Sequence, residues 1–181
     1  DFFFFSLSDY ERQFFFTPGS NKISTITQFD YIKIGQIISL SKQYGSLPLK
    51  KLANYTYDAS GRLKDKKLSP DFNSNAGIES LKYEYNLHGM LIGINRDYSL
   101  SVSNLAQWDH YFGMYLGYDN KDNKFADNQY NGNLTGILWK TQGDNHPRKY
   151  DYVYDNANRL TAANFQKKKK PSETNWLNTS V

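Results

Sequence analysis

The chain contains three histidines, and two of them stand near carboxylates, a pairing used by metal sites and by general acid–base catalysts. Asp109 precedes His110, Asp144 lies two residues before His146, and His88 has no acidic neighbour. A zinc site needs three or four converging donors, and no histidine pair has the i, i+4 spacing that places two ligands on one helix face. We therefore interpret the histidines as loop residues and predict no metal site.

The other segments whose residues could bind a metal or catalyse a reaction also lack the pattern of a known site. Residues 119–124 are rich in Asp, Asn and Lys, as calcium loops are, but Lys stands at the third position and the sixth-position Gly and terminal Glu are missing. No nucleophile elbow or phosphate-binding loop is present. The sequence therefore predicts no catalytic residues, no cofactor and no enzymatic activity.

A repeated phrase covers more of the sequence than any of these candidates. It reads aromatic, any residue, Tyr, three residues, a turn former, any residue, then Leu or Ile. A spacing kept through four otherwise different segments indicates a repeated supersecondary unit. The four copies are Phe29/Tyr31/Gly35/Ile37, Tyr55/Tyr57/Gly61/Leu63, Tyr83/Tyr85/Gly89/Leu91 and Tyr152/Tyr154/Asn158/Leu160.

Each copy predicts a strand, a tight turn and a second strand. The two aromatic residues are two positions apart, so their rings lie on the same face of a strand. Asp58, Asn86 and Asp155 follow the second ring, where short Asx side chains accept hydrogen bonds from backbone N–H groups and initiate turns. The turn former is Gly or Asn, the residues that best tolerate the positive φ needed to close a short hairpin loop.

The region between the third and fourth copies also carries strand and turn signals. Residues 111–119 predict a strand that ends in a turn, and residues 130–139 predict a hairpin around Asn131-Gly132, with Tyr130 and Gly132 as a degenerate copy of the phrase. No segment carries a 3.6-residue apolar period. We therefore expect an all-β fold of repeated antiparallel β-hairpins that form a curved, open sheet.

At this point the residues resemble the Rhs, or YD-repeat, family. Residues 55–63 match its consensus Tyr-x-Tyr-Asp-x-x-Gly-Arg-Leu in full, with Arg62 at the Arg position, and residues 152–160 keep the frame with Arg159 but have Asn158 in place of Gly. The copy at 83–91 departs at Met90, and the copy at 29–37 has Ile32 and Gln36 in place of Asp and Arg. The resemblance covers roughly residues 28–166.

The resemblance implies a long antiparallel sheet that spirals into a hollow shell. In such proteins the shell encloses a toxic C-terminal domain, and related repeats in teneurins serve adhesion. The family's closing element, with its Asp-Pro-x-Gly motifs, has no match in this chain. We expect a non-catalytic segment of the wall of a secreted or bacterial cell-surface protein. Its partners would be the flanking repeats and a C-terminal effector domain that this chain does not contain.

An alternative interpretation is an adhesion module that binds carbohydrates or a cell surface. Trp108, Trp139, Trp176 and the many tyrosines could stack on sugar rings. Ring exposure discriminates between the two interpretations, because binding requires rings that face solvent and a wall requires rings packed between strands.

Composition and charge set further limits. The 181 residues predict a flanking segment at 1–27, a repeat region at 28–166 and a Lys-rich polar tail at 167–181. The net charge of +4 is mild, and the run Lys167–Lys170 lacks an accompanying basic face, so we predict no nucleic-acid partner. No apolar run is long enough for a membrane span. A repeat array without polar caps is expected to self-associate.

Overall fold

The computed structural model describes residues 7–15, 23–32, 34–101, 110–119, 124–170, 172–173 and 175–178. Contacts divide the chain into two compact units, Asp1–Leu81 and Lys82–Val181, and the division falls within a strand. Each unit is described by itself. The predicted boundaries at residues 27 and 166 stay predictions.

The first unit consists of five antiparallel strands in which each strand pairs with the next one along the chain. A turn-like helical segment follows them, in which Asn73 and Ser74 have left-handed backbone angles, and the start of a sixth strand ends the unit. In chain order these are β1 (Leu7–Phe15), β2 (Ile23–Tyr31), β3 (Ile37–Tyr44), β4 (Lys50–Tyr57), β5 (Leu63–Leu68), α1 (Phe72–Asn75) and β6 (Glu79–Tyr85).

One face of the first unit is apolar and only partly covered. Phe29, Leu40, Ala53 and Leu68 are successive cross-strand partners on β2 to β5, so they lie in one row across the sheet. Among the described hydrophobic residues of this unit, only Ala53 is buried. The apolar face of this sheet therefore has little packed above it within the described chain.

The opposite face carries a polar row centred on Asp30. Its carboxylate accepts hydrogen bonds from Ser8 Oγ at 2.7 Å, from Gln28 Nε2 at 3.1 Å and from Ser39 Oγ. The bond from Ser39 is the largest of the effects that lower the pKa of Asp30, because it stabilises the ionised carboxylate. These bonds link β1, β2 and β3 through their side chains as well as through their backbones.

The second unit continues with antiparallel pairing of sequential strands. After the end of β6 its elements are β7 (Leu91–Ile94), α2 (Arg96–Leu100), β8 (Phe112–Gly117), β9 (Gly136–Thr141), β10 (Arg148–Tyr154), β11 (Leu160–Lys167) and β12 (Leu177–Asn178). The last strand lies in the predicted polar tail and pairs with Gln166 and Lys167.

Glycines on β8 and β9 leave room for other segments to pack on one face of the second unit. A Cβ at Gly113 would lie 2.7 Å from the carbonyl oxygen of Asn95, so the start of α2 can rest on β8 only because that side chain is missing. A Cβ at Gly117 or Gly136 would overlap the ring of Phe125 in the same way. On this covered face Tyr115, Phe125 and Leu138 form a buried core, with Leu100 and Trp176 packed against it.

Two lysines are also buried on the covered face. Lys149 pairs with Asp151 at 3.0 Å, so this charge is neutralised locally. Lys140 is fully buried and its Nζ donates to Ser101 Oγ at 2.7 Å and lies 4.2 Å from the centre of the Tyr98 ring. Burial lowers the pKa of Lys140 to about 8, because the charged form loses hydration.

The all-β fold of antiparallel hairpins in an open sheet is confirmed. The two short helical segments were not expected, since four or five residues are too few to carry a helical period. The strand predicted at 111–119 is β8. The hairpin predicted at 130–139 is wrong: β9 begins at Gly136, and residues 124–135 form a loop with no strand to pair before Asn131-Gly132.

Replacing Gly61 by Val tests the conformation of the repeated turn. Gly61 has φ +78°, and a Cβ there would lie 3.2 Å from Gln36 Nε2. We expect Gly61→Val to lower the free energy of unfolding by about 1–3 kcal/mol, measured by thermal or urea denaturation. Gly143→Val is the matched control, because Gly143 has no positive φ and open space around it. Equal melting temperatures for the two variants would contradict the strained-turn account.

Candidate functional site

The four copies of the phrase share one backbone arrangement. In each copy the N–H of the turn former donates to the carbonyl oxygen three residues earlier at 2.9 to 3.0 Å. The N–H of that earlier residue donates to the carbonyl oxygen four residues later at 2.8 to 3.0 Å. The turn formers Gly35, Gly61, Gly89 and Asn158 have φ of +80°, +78°, +79° and +60°. Asn158 thus meets the same backbone requirement as the glycines.

The turn also explains the position of the final Leu or Ile in each phrase. The strand register shifts by one residue at the second aromatic of every copy, as in a β-bulge. After the shift, the second aromatic lies directly opposite the final aliphatic residue. The pairs are Tyr31 with Ile37, Tyr57 with Leu63, Tyr85 with Leu91 and Tyr154 with Leu160. The fixed spacing of the phrase therefore follows from a fixed cross-strand contact.

In the three copies that have an Asx residue, its side chain stabilises the turn by accepting two backbone hydrogen bonds. Asp58 Oδ1 accepts hydrogen bonds from the backbone N–H groups of Ser60 and Arg62, both at 2.9 Å. Asn86 Oδ1 accepts the equivalent pair from His88 and Met90, both at 3.0 Å. One side-chain oxygen thus satisfies two N–H groups of each loop.

In two copies an arginine completes this fastening. Arg62 Nε donates to Asp58 Oδ2 at 2.7 Å, and Arg159 Nε donates to Asp155 Oδ2 at 2.8 Å. Asp155 Oδ1 also accepts the N–H groups of Ala157 and Arg159 at 2.9 Å. The backbone bond from the arginine is the largest of the effects that lower the pKa of each aspartate. We call this arrangement the Asp–Arg clip.

The role of the arginines was missing from the sequence analysis, although the spacing could have indicated it. Asp and Arg stand four residues apart in both copies that have them. The same spacing recurs between β9 and β10, where Arg148 pairs with Asp144 and helps to lower the pKa of Asp144 to about 2. Asp-x-x-x-Arg is therefore a recurrent means of fastening a turn in this chain.

The first copy lacks the clip, and its side chains contact the next turn instead. Ile32 and Gln36 replace Asp and Arg, and Gln36 Nε2 donates to the carbonyl oxygen of Gly61 at 2.8 Å. Tyr57 Oη donates to the carbonyl oxygen of Ile37 at 2.8 Å. Two consecutive repeats of the first unit are thus joined by side-chain bonds to backbone carbonyl groups. Sequence reasoning identified Tyr57 but gave no role to Gln36.

A comparable contact joins a loop to the last turn of the second unit. Asn131 Nδ2 donates to Asn158 Oδ1 at 2.5 Å, although Asn131 lies 27 residues earlier. The predicted motif residues Tyr130 and Gly132 flank it, and Tyr130 is 84% exposed. These residues therefore belong to the long β8–β9 connection and not to a fifth hairpin. Another missed residue is Asn95, which accepts from Lys82 N and donates to the carbonyl oxygen of Phe112.

In the first copy of the phrase the two rings lie side by side, as the two-residue spacing predicts, with the ring centres of Phe29 and Tyr31 6.4 Å apart. Tyr150, which precedes the fourth phrase, stacks nearly parallel on Tyr152 at 6.2 Å. Trp139 stacks on Tyr150 at 5.8 Å. These rings are half-buried, so their exposure favours neither the wall nor the binding interpretation by itself.

The remaining candidate residues are dispersed. His88 is exposed in the third turn, His110 lies edge-on to Tyr98, and His146 lies 3.6 Å from Asp144. Among the described residues no group of three or more His, Asp or Glu could hold a metal ion. Trp108 and residues 120–123 of the calcium-like segment lie outside the described residues. Trp176 contacts Lys149 and Lys168, whose Nζ atoms are 5.1 and 4.8 Å from its ring centre.

Comparison with known proteins adds no identification. No protein-family model matches the chain, and no curated protein matches it either. The two helical segments of the described ranges are both too short to cross a membrane. The resemblance to the Rhs family therefore stays a prediction from the repeated phrase.

Removing the charge of the clip tests its contribution to acid stability. A pKa lowered in the folded state means that ionised Asp58 and Asp155 stabilise the fold above their usual pKa of 3.8 and lose this contribution as the pH falls through the lowered value. We expect the melting temperature to fall as the pH is lowered below about 4, and to fall less in Asp58→Asn/Asp155→Asn. Asn keeps the acceptor oxygen, as Asn86 does.

The matched control for this experiment is Asp127→Asn, a change at an exposed residue outside the four turns. It should leave the acid dependence of the melting temperature as it is in the unchanged protein. If the double Asn variant loses as much stability on acidification as the control, the clip contributes nothing through its charge.

Proposed function

We propose that this chain is a non-catalytic segment of a β-repeat scaffold in a secreted or cell-surface protein of the Rhs type. Its repeats form part of a shell that encloses or displays a C-terminal effector outside this chain. The observation that carries the proposal is the identical turn in four copies, with the same two backbone bonds, the same positive φ and the same register shift. The turn former, the second aromatic residue and the final aliphatic residue, which take part in this turn and its register shift, recur in all four copies.

The contacts between repeats support the scaffold role. The side chains of Gln36 and Tyr57 donate hydrogen bonds to backbone carbonyl groups of the neighbouring repeat, and the side chain of Asn131 donates one to Asn158 in the last turn. The bonds of Gln36 and Tyr57 order one hairpin against the next, as a continuous sheet of repeats requires, and the bond of Asn131 orders a loop against the last turn. The polar side-chain groups of Gln36, Tyr57 and Asn131 thus have structural partners, which supports a scaffold role.

The poorly covered face of the first unit supports a dependence on neighbouring structure. Phe29, Leu40 and Leu68 on this face are only half-buried, and Ile34, Leu47 and Leu49 in the turns and loops of the same unit are exposed. Repeat arrays gain stability by stacking neighbours that bury such faces. We therefore assign the flanking repeats and the effector domain of the full-length protein as the partners of this segment.

Protection of the effector tests the shell directly. The coding sequence on both sides should contain further copies of the phrase and a variable C-terminal domain. In that full-length protein, limited proteolysis should leave the C-terminal domain intact, and Gly61→Val should speed its digestion while Gly143→Val does not. Absence of further copies, or a C-terminal domain digested as fast in the full-length protein as when produced alone, would refute the proposal.

The isolated chain should self-associate, because the apolar row of the first unit is only partly covered by the residues that the structure describes. Sedimentation velocity over a range of concentrations measures this. We expect species larger than the 21.0 kDa monomer, and fewer of them when the flanking repeats are present in the same chain. A compact monomer at all concentrations would show that the segment is complete by itself.

A further inference from the structure

The one Asn-Gly pair of the sequence, Asn131-Gly132, lies on the surface of the β8–β9 connection. Every other Asn of the chain is followed by a residue that has a side chain. Asn131 and Gly132 are both exposed, and residues 124–135 contain no strand. A Cβ at Gly132, which has φ +91°, would meet nothing within 4 Å. Water can therefore reach the Asn131 side chain, and no side chain at residue 132 shields it.

This pair of residues can undergo an intramolecular reaction. The deprotonated backbone nitrogen of Gly132 attacks Cγ of Asn131, so that an N–Cγ bond forms and the Cγ–Nδ2 bond breaks. Nδ2 leaves as ammonia, with a proton that replaces the one lost by the Gly132 amide. Water then adds to one of the two carbonyl carbons of the cyclic imide and opens it to aspartate or isoaspartate. One water is consumed and one ammonia is released, and nothing is oxidised or reduced.

The carbonyl group of the Asn131 side chain is held in a way that favours this attack. The N–H of Asn133 donates to Asn131 Oδ1 at 3.0 Å. Negative charge develops on this oxygen in the tetrahedral intermediate, and a donor already in place stabilises that charge without rearrangement. The exposed Asn156 differs, because Ala157 follows it and the N–H of Ala157 donates to Asp155 Oδ1 at 2.9 Å. The nitrogen that would attack Asn156 is therefore already engaged.

The leaving nitrogen of Asn131 is also the atom that contacts the last turn. Nδ2 donates to Asn158 Oδ1 at 2.5 Å. In the aspartate product an acceptor oxygen replaces this donor. In the isoaspartate product the main chain runs through the former side chain, so the remaining carboxylate lies elsewhere. Both products lose the bond that Nδ2 makes.

We propose that Asn131 deamidates spontaneously in the folded chain, and that this reaction permanently detaches the β8–β9 connection from the last turn. The modification site is independent of the scaffold proposal, since it depends only on the Asn-Gly pair, the Asn133 donor and the Asn158 contact.

Ageing the purified full chain at mildly alkaline pH, followed by peptide mapping with mass spectrometry, tests the reaction. The mass gain that accompanies replacement of NH2 by OH should appear first at Asn131. We expect a rate about tenfold above that at Asn156, which corresponds to a barrier lower by about 1.4 kcal/mol. A protein isoaspartyl methyltransferase should label the same peptide. Equal rates at Asn131 and Asn156, or no conversion of Asn131, would overturn the proposal.

Asn158→Gly separates the contact from the chemistry. Glycine occupies this turn position in the other three copies with a similar positive φ, so the variant should keep the turn and its melting temperature. Asn131 then no longer has to break a hydrogen bond before it reacts, and its conversion should be about fivefold faster. Asn156→Gly, a change in the same turn outside this contact, is the matched control and should leave the rate unchanged. Unchanged or slower conversion in Asn158→Gly would contradict the role of the contact.

Amide hydrogen exchange before and after conversion measures the detachment of the loop. The N–H of Gln129 donates to the carbonyl oxygen of Tyr118 at 3.1 Å. This amide and that of Asn133 should lose protection in the converted chains, while the amides of β10 keep theirs. Loop amides that keep full protection after conversion would refute the detachment. Protection of the effector in freshly prepared protein tests the scaffold separately, so the two proposals fail independently.

Discussion

The structure depends on one backbone requirement: a residue with positive φ at the seventh position of each phrase. This conformation lets the chain reverse in a short loop and shift the strand register by one residue. The shift then brings the second tyrosine opposite the final aliphatic side chain. If the seventh residue could not adopt this conformation, the two strands would meet in another register and their apolar sides would no longer coincide. The requirement explains both the Gly or Asn and the spacing of the remaining residues.

The sequence predicted the elements that are governed by such local rules. Four hairpins were predicted because ring spacing, Asx residues and turn formers all act within nine residues. The Asn131-Gly132 hairpin failed for a related reason. Asn-Gly is a strong local signal, but a hairpin also needs a strand on each side, and residues 124–135 contain no strand, with the ring of Phe125 packed on Gly117 and Gly136. A tertiary contact thus decided the conformation of that segment.

Long-range features could not be read from the sequence. The bonds from Gln36 to the carbonyl of Gly61 and from Asn131 to Asn158 join residues 25 and 27 positions apart, and no local pattern marks them. The same is true of the cavity that is lined by the third turn, the end of β8 and the β8–β9 connection. The glycines of β8 and β9 were visible in the sequence, but only the packing of α2 and Phe125 explains them.

Amide hydrogen exchange at the four turn formers tests the central claim most directly. Each of Gly35, Gly61, Gly89 and Asn158 donates its N–H to the carbonyl three residues earlier, so all four amides should exchange slowly and with similar protection factors. Asn158 should match the glycines although its side chain differs. Exchange of these amides at the rate of an unstructured peptide, or protection in only one or two of the four, would contradict the account of a single turn repeated along the chain.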